Sequence, residues 1–255
     1  MTRVCVAGST GWTGKAVAEA VDVADDLQLV AGVSRSAAQN GAAFSSVAEA
    51  LDGTQADVLV DYTSAEVVKA NVLAALERRV AVVVGSSGLT GADFDEIDER
   101  AHAAGVGVIA AGNFSVLAAL LLRFAEQAAR RVDAWEIVDY ASAAKPDVPS
   151  GTARELAERV GTIRHPLLGR PLDELAGPTE ARGAEIAGSR VHSVRLPSFA
   201  VSTEIVFAGE GERLVLRHDP GESAAPYVAG TLLAIRSVTG RIGLTRGLDS
   251  LLWPD

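Results

Sequence analysis

The chain has 255 residues, enough for one large domain or two smaller ones, with an ordinary globular composition of 48% hydrophobic and 22% charged residues. Its net charge of −10 argues against nucleic-acid and membrane-surface partners, which need basic patches. Cys5 is the single cysteine, so neither an internal disulfide nor a metal site is expected. No signal peptide precedes the first apolar run and no apolar stretch could span a bilayer, so we expect a soluble cytoplasmic protein.

The N-terminal segment predicts a strand, a glycine turn and a helix in succession. The apolar run 3–7 is followed by G-S-T-G-W-T-G and then by apolar residues at helical spacing. Glycines let the backbone approach a pyrophosphate, and a helix N-terminus offers N–H groups to it. A tight turn without a ligand is the alternative. The predicted dinucleotide-binding residues are Gly8, Ser9, Thr10, Gly11, Trp12, Thr13 and Gly14.

A second predicted strand, 27–33, ends where the adenosine ribose of a dinucleotide is expected. An acidic residue there would accept the 2′-hydroxyl of NAD, but this chain has Ser34, Arg35 and Ser36. One guanidinium and two hydroxyls suit a 2′-phosphate instead. We therefore expect NADPH as cofactor, with NADH as a possible substitute; a solvated loop arginine is the alternative for Arg35.

Three further apolar runs, at 56–62, 80–84 and 106–111, alternate with helical segments. This alternation predicts a parallel sheet covered on both faces, with ligands at the carboxyl ends of its strands. Ser64 is expected to cap the helix that follows the first of these runs. The residues predicted to line the nicotinamide end of the cofactor are Tyr62, Thr63, Gly85, Ser86, Ser87, Gly88, Gly112, Asn113 and Phe114.

After residue 115 the pattern changes. A long helical segment is followed by a strand at 135–140 and by later strands at 191–196, 202–207 and 212–217. Strands in succession predict an open mixed or antiparallel sheet, whose free face suits an oligomer contact. Residues 227–238 predict a helix with a polar tail after it.

The loop K-P-D-V-P-S-G-T-A begins at Lys145 and carries the chemistry of this half. A lysine followed by a Ser-Gly-Thr turn at the start of a helix can hold a carboxylate. We therefore assign a catalytic role to Lys145 and substrate binding to Ser150, Gly151 and Thr152, a solvated lysine being the alternative. Asp147 is expected to orient the lysine.

Together these motifs resemble the dihydrodipicolinate reductase family, also called 4-hydroxy-tetrahydrodipicolinate reductase. The family pattern of a G-x-x-G-x-x-G turn, a G-T-T-G loop, P-N-[FY]-[SA] and K-x-D-A-P-S-G-T-A has counterparts in this chain, beginning at Gly8, Gly85, Gly112 and Lys145. The resemblance implies an α/β protein with hydride transfer from NADPH or NADH. It implies a Rossmann-type dinucleotide-binding domain from 1–115 plus 225–255. It also implies an α+β substrate-binding and oligomerisation domain at 116–224, with an open mixed sheet, in a homo-oligomer that is expected to be a tetramer.

The chain departs from the family at its two adjacent histidines, which Ala141 and Ser142 replace. The resemblance implies general acid catalysis by the first and binding of the substrate carboxylate by the second, so Ser142 is the expected counterpart of the second. A third family histidine aligns with about Ser202. The histidines present, none of them in the loop, are His102, His165, His192 and His218.

We therefore expect an NADPH-dependent oxidoreductase that reduces a C=N bond, or a conjugated C=C–C=N system, in a small carboxylated molecule. The missing histidines favour a specialised pathway. The alternatives are the authentic lysine-pathway reductase, a non-catalytic NADPH-binding protein, and an amine dehydrogenase that forms its imine from a ketone and ammonia.

Overall fold

The computed structural model describes residues 1–35, 44–167 and 169–253, and it divides the chain into two compact units. Unit 1 comprises Met1–Val116 and Ala224–Asp255, and unit 2 comprises Leu117–Ser223. Ser36, one of the predicted cofactor residues, lies outside the described residues.

The strands are β1 (Thr2–Ala7), β2 (Leu27–Val33), β3 (Val58–Asp61), β4 (Ala81–Val84), β5 (Gly107–Ala110), β6 (Trp135–Ala141), β7 (Ala184–Ile186), β8 (Ser189–Arg195), β9 (Val201–Gly209), β10 (Glu212–His218) and β11 (Gly243–Arg246). The α-helices are α1 (Trp12–Asp22), α2 (Val47–Gly53), α3 (Val68–Glu77), α4 (Gly91–Ala104), α5 (Val116–Ala129), α6 (Gly151–Ile163), α7 (Ala225–Val238) and α8 (Asp249–Leu252). Two 3₁₀ turns, at Leu172–Glu174 and Thr179–Arg182, lie between α6 and β7.

Unit 1 is built on a parallel six-stranded sheet in the order β11-β5-β4-β3-β1-β2. Its central strands are continuous apolar runs because both faces are covered, and every residue of β3, β4 and β5 is buried. Cys5 lies in this core, where burial, and secondarily the negative charge of Asp61, raises the pKa of its thiol to about 12. The thiol is therefore protonated and unreactive near neutral pH.

The C-terminal part of unit 1 corrects the prediction of a polar tail after α7. Residues beyond that helix form β11, which pairs in parallel with β5, followed by the short helix α8. The strand contains only one strongly apolar residue, Leu244, whose N–H donates to Asp98 Oδ1 on α4 at 2.6 Å. A four-residue edge strand of this composition carries almost no periodic signal.

The start of α3 corrects the expectation for Ser64. The helix begins at Val68, and the backbone carbonyl of Ser64, rather than its hydroxyl, accepts the N–H groups of Val67 and Val68. The Ser64 hydroxyl is buried and has no hydrogen-bond partner among the described residues. A backbone turn that starts at Ser64 therefore precedes α3, in place of the expected side-chain cap.

Unit 2 contains a mixed five-stranded sheet in the order β10-β9-β6-β8-β7. One face packs against α5 and α6 around a core that includes Ile137, Leu156 and Phe207. Alternate residues of β6, among them Glu136 and Tyr140, point to the opposite, half-exposed face. With the parallel sheet of unit 1, this arrangement confirms the predicted α/β fold class.

Helices long and apolar enough to cross a lipid bilayer do not occur among the described residues.

Helix α7 packs closely against the rest of unit 1 at Gly230. A Cβ at this position would lie 2.0 Å from the carbonyl oxygen of Phe114 and 2.7 Å from Leu248 Cδ2. We expect Gly230→Ala to lower the free energy of unfolding by about 1–3 kcal/mol in urea denaturation, because backbone must move to admit the methyl group. Gly91→Ala is the control, since nothing lies within 4 Å of its Cβ position. Equal stability of the two variants would contradict this packing.

Candidate functional site

The glycine turn between β1 and α1 packs directly against the loop that follows β3. Gly8 has a φ of +79°, and a Cβ there would lie 2.2 Å from the carbonyl oxygen of Tyr62. A Cβ on Gly14 would lie 2.1 Å from the Gly8 oxygen. The turn is closed by the Gly11 N–H, which donates to Gly8 O at 2.8 Å. These contacts give a physical reason for glycine at two of the three spaced positions.

A cavity of about 450 Å³ lies beside this turn. It is bounded on one side by the start of α2, from Ser45 to Val47, and on another by the loop after β3. Thr10 Oγ1 and Ser34 Oγ are 2.9 Å apart at its wall, which ties the glycine turn to the end of β2. The predicted cofactor residues that line this cavity are Gly8, Thr10, Gly11, Ser34, Arg35, Tyr62 and Thr63.

Asp61, the last residue of β3, organises the loops beside this cavity and was missed by the sequence analysis. Its fully buried side chain accepts four close hydrogen bonds. Oδ1 accepts from the Thr63 N–H at 3.0 Å, the Thr63 hydroxyl at 2.6 Å and the Ser86 hydroxyl at 2.6 Å, while Oδ2 accepts from Asn71 Nδ2 at 2.8 Å. The loops after β3 and β4 are therefore joined through one carboxyl group. The sequence feature that could have identified Asp61 is an acidic residue at the end of an apolar run predicted to form a strand.

Tyr62 fills the space between the loops after β3 and β4. A Cβ on Gly85 would lie 2.1 Å from its ring, and its hydroxyl is 2.6 Å from Thr231 Oγ1 on α7. Burial raises the pKa of the Tyr62 hydroxyl, with the Thr231 contact opposing the shift. The phenol is therefore neutral and acts as packing and a hydrogen-bond partner in this position.

The other predicted cofactor residues that the structure describes do not line this cavity. Ser9 donates weakly to Val33 O at 3.4 Å, and Trp12 is exposed with its ring edge against Tyr227. Phe114 is buried, with its ring centroid 6.2 Å from that of Tyr62 in an edge-to-face arrangement. Asn113 Oδ1 accepts the Ser115 N–H. The others are Thr13 and Gly14, in the first turn of α1, and Gly85, Ser86, Ser87, Gly88 and Gly112, just beyond the carboxyl ends of β4 and β5.

In unit 2, the lysine loop connects β6 to α6. It opens with a turn in which Ser142 O accepts the Lys145 N–H at 3.0 Å and the Ser142 hydroxyl accepts the Ala144 N–H at 3.3 Å. Lys145 Nζ lies 2.8 Å from Asp147 Oδ1, which agrees with the orienting role expected for Asp147. The ammonium group is only partly exposed.

The far end of the loop is the start of α6. The Ser150 hydroxyl caps this helix by accepting the Ala153 N–H at 3.3 Å, and the Ser150 N–H donates to Asp139 Oδ2 at 2.9 Å. Ser150 thus uses both its hydroxyl and its N–H to shape the turn. Gly151 and Thr152 follow in the first turn of the helix, on the same loop as Lys145.

Asp139 and Tyr140 are neighbours on β6 and point to opposite faces of its sheet. Asp139 is fully buried and lies 2.8 Å from Arg195 Nη2 on the neighbouring β8, an ion pair that the sequence analysis missed. Tyr140 lies on the other face, where it contacts Phe199 and the guanidinium of Arg217. Asp139 and Arg195 are 56 residues apart in the chain, so no local sequence pattern indicates that they pair.

No histidine replaces the family pair in the lysine loop. His102 and His165 are exposed, and His192 Nε2 is 2.8 Å from Glu136 Oε2. His218 is buried at the end of β10, where burial lowers the pKa of its ring against the opposing effect of Asp219. Ala141, at the first family histidine position, is fully buried.

Known proteins are similar to nearly the whole chain. Sequence models described as dihydrodipicolinate reductase, N-terminus, and dihydrodipicolinate reductase, C-terminus, match residues 2–114 and 118–252. A 4-hydroxy-tetrahydrodipicolinate reductase of Nocardia farcinica is 38% identical over 253 residues, 98% of each chain. That of Cutibacterium acnes is 37% identical over 255 residues, 99% of each chain.

A solved structure, dipicolinate-bound dihydrodipicolinate reductase from Paenisporosarcina sp. TG-14, superposes with a TM-score of 0.76 at 29% identity. The match covers 98% of this chain and 99% of that one. These matches confirm the resemblance drawn from the motifs and the expectation of a nicotinamide-dependent oxidoreductase. The chain belongs to the dihydrodipicolinate reductase family, whose members are NAD(P)H-dependent oxidoreductases acting on a C=N bond.

Proposed function

We propose that this protein uses NADPH to reduce the C=N bond of a small cyclic imine that carries a carboxylate. The observation that carries the proposal is the pairing of an oriented lysine, Lys145, with the start of α6 on one loop of a chain that belongs to this family. Unit 1 would bind the cofactor and unit 2 the substrate.

The cavity of unit 1 suits a dinucleotide. The backbone of the glycine turn leaves no room for side chains at Gly8 and Gly14, and α1 starts beside it, so a pyrophosphate can approach main-chain N–H groups. Arg35 lines the cavity at the end of β2, where a guanidinium favours a 2′-phosphate and hence NADPH over NADH. When bound, the nicotinamide supplies the hydride.

The lysine loop supplies the substrate's binding groups. An ammonium has three N–H donors, so Lys145 can hold a substrate carboxylate while it keeps its contact with Asp147. The first-turn N–H groups of α6, at Gly151 and Thr152, add the positive end of the helix dipole. The imine nitrogen needs a proton when its carbon accepts a hydride, and Lys145 is the charged donor on this loop.

Two substrate classes have specific support. The names of the curated relatives, at 37–38% identity over nearly the whole chain, favour 4-hydroxy-tetrahydrodipicolinate, the lysine-pathway substrate. Ala141 and Ser142, in place of the family histidines, favour a different carboxylated imine of a specialised pathway. A substrate that arrives already protonated needs mainly positioning, because no proton has to be delivered to its nitrogen. The first class is our leading candidate, because the similarity extends over both units.

We also propose that the half-exposed face of the unit 2 sheet is a contact between copies in a homo-oligomer, a tetramer by family resemblance, and that the protein is cytoplasmic. The support for the contact is the row of half-exposed β6 side chains on the sheet face opposite α5 and α6.

The deciding experiment measures NADPH oxidation with freshly generated 4-hydroxy-tetrahydrodipicolinate, and in parallel with five- and six-membered cyclic imines carrying one carboxylate. Turnover of the dicarboxylate supports the leading substrate, and turnover of only a monocarboxylate supports the second class. Tight NADPH binding without oxidation by any of these compounds would overturn the proposal and favour a non-catalytic nucleotide-binding protein.

Lys145→Ala should lower kcat/KM by about 100-fold or more, since it removes a charged contact to the substrate and the proposed proton donor. NADPH affinity should stay within about twofold, because the lysine belongs to the other unit. Lys69→Ala, which removes a lysine paired with Asp93 and Glu96 on the surface of unit 1, is the control. A Lys145→Ala enzyme with unchanged kinetics would contradict the assigned role.

Arg35→Ala should raise the dissociation constant for NADPH by about 10- to 100-fold, the range expected for a charged hydrogen bond to phosphate. NADH binding should change far less, because NADH lacks the 2′-phosphate. Cofactor fluorescence titration measures both constants. The control is Arg100→Ala, another exposed arginine in unit 1. Equal losses for NADPH and NADH would refute the phosphate contact.

Asp61→Asn should weaken binding of both cofactors by about 10-fold, because an amide nitrogen would face donors now bound to the carboxyl oxygens. The same titration measures the effect for NADPH and NADH alike, which distinguishes it from Arg35→Ala. Asp57→Asn is a matched control, since Asp57 lies just before the other end of β3 and pairs with Arg3. Normal cofactor affinity in folded Asp61→Asn would show that the loops do not depend on this carboxyl group.

A further inference from the structure

We propose that Asp139 and Arg195 are positioning residues for the lysine loop, and that this largely buried pair sets the affinity for the substrate carboxylate. The inference rests on the proposed function, because it concerns the same loop, and it assigns roles to two residues outside that loop.

Asp139 fixes the end of the loop that starts α6. Its Oδ2 atom accepts the Ser150 N–H at 2.9 Å, Arg195 Nη2 at 2.8 Å and the Ser193 hydroxyl at 3.2 Å. Ser150 in turn caps α6 through its hydroxyl. The direction of the first N–H groups of the helix therefore depends on a carboxyl group at the end of β6.

Arg195 fixes the middle of the loop. The Nη2 atom that contacts Asp139 also donates to the backbone carbonyl of Asp147 at 2.8 Å, and Asp147 Oδ1 lies 2.8 Å from Lys145 Nζ. Nη1 of the same guanidinium donates to Val194 O at 3.0 Å, on its own strand. A continuous series of polar contacts thus runs from the sheet to the lysine ammonium.

The pair is poorly explained by stability alone. Charges removed from water gain little net stability even when paired, and well-packed apolar residues often replace such pairs without loss. Moreover, Asp139 Oδ1 and Arg195 Nε are buried without a hydrogen-bond partner among the described residues. The charged pair fixes the geometry of the loop through its hydrogen bonds, and an apolar pair could not do so.

Arg195→Lys is the informative variant, because lysine keeps the positive charge but lacks the planar set of donors that reaches both the carboxyl group and the Asp147 carbonyl. We expect its dissociation constant for dipicolinate, measured by calorimetry with NADPH present, to rise about 10- to 100-fold. KM for the reduced substrate should rise similarly, while kcat falls less and NADPH affinity stays within about twofold.

Hydrogen exchange gives a readout that needs no substrate. Amides of residues 142–152 should exchange about 10-fold faster in Arg195→Lys, whereas those of α5 should not change, because only the loop loses its anchor.

Arg159→Lys is the matched control. Arg159 lies on the same helix as the loop end, pairs with Glu126 and Glu155, and has a side chain 19% exposed against 16% for Arg195. It should leave dipicolinate binding and loop exchange unchanged. Asp139→Asn, which keeps the shape but removes the charge, should reproduce the Arg195→Lys effects and serves if that variant does not fold.

The outcomes separate the two proposals. If the wild-type protein neither binds dipicolinate nor reduces any of the imines, the proposed function fails, and the exchange data still test the positioning role. If the wild-type protein binds dipicolinate and folded Arg195→Lys and Asp139→Asn bind it equally well with unchanged loop exchange, the positioning role is wrong. A similar weakening in Arg159→Lys would also overturn it, since the effect would then be a general loss of unit 2 stability.

Discussion

Two fully buried aspartates, one in each unit, hold the loops that carry the candidate chemistry. Asp61 ends β3 and Asp139 lies near the end of β6, and both stand in a Val-Asp-Tyr sequence. A carboxyl group deprived of water requires several donors at once, and here most of those donors lie in the loops that follow the strands or border them. Each carboxyl group can therefore be buried favourably only when the loop beside it is ordered, because the ordered loop supplies its hydrogen-bond donors.

The consequence for binding is that both candidate sites are largely formed before a ligand arrives. In unit 1 the glycine turn, the Tyr62 backbone and the Tyr62 ring against Gly85 leave no room for a single added carbon. In unit 2 the lysine ammonium is already held by Asp147. Preformed sites lose less conformational entropy on binding, so more of the contact free energy is available as affinity.

Features with a local signal could be predicted from the sequence, and features created by pairing across strands could not. The apolar runs of β3, β4 and β5, the glycine turn and the lysine loop all follow from residue spacing. The structure adds the Asp139–Arg195 pair, which needs a parallel register between β6 and β8, and the four-residue strand β11, which has no periodicity of its own. Ser64 is a different case, because its residue type suits a helix cap but a backbone turn at this position makes α3 begin later in the chain. The missing histidines, in contrast, are visible in the sequence, and the fold does not replace them within the lysine loop.

The return of the chain to unit 1 after unit 2 has a consequence for biosynthesis. A ribosome releases β1 to β5 long before β11, so during vectorial synthesis the nascent sheet has an open flank at β5. Unpaired main-chain groups on such a flank can recruit strands from neighbouring polypeptides, and polysomes place many identical copies close together. The interval in which unit 2 is being translated is therefore the period of greatest exposure to misassembly, and it is where we expect chaperone occupancy to be highest.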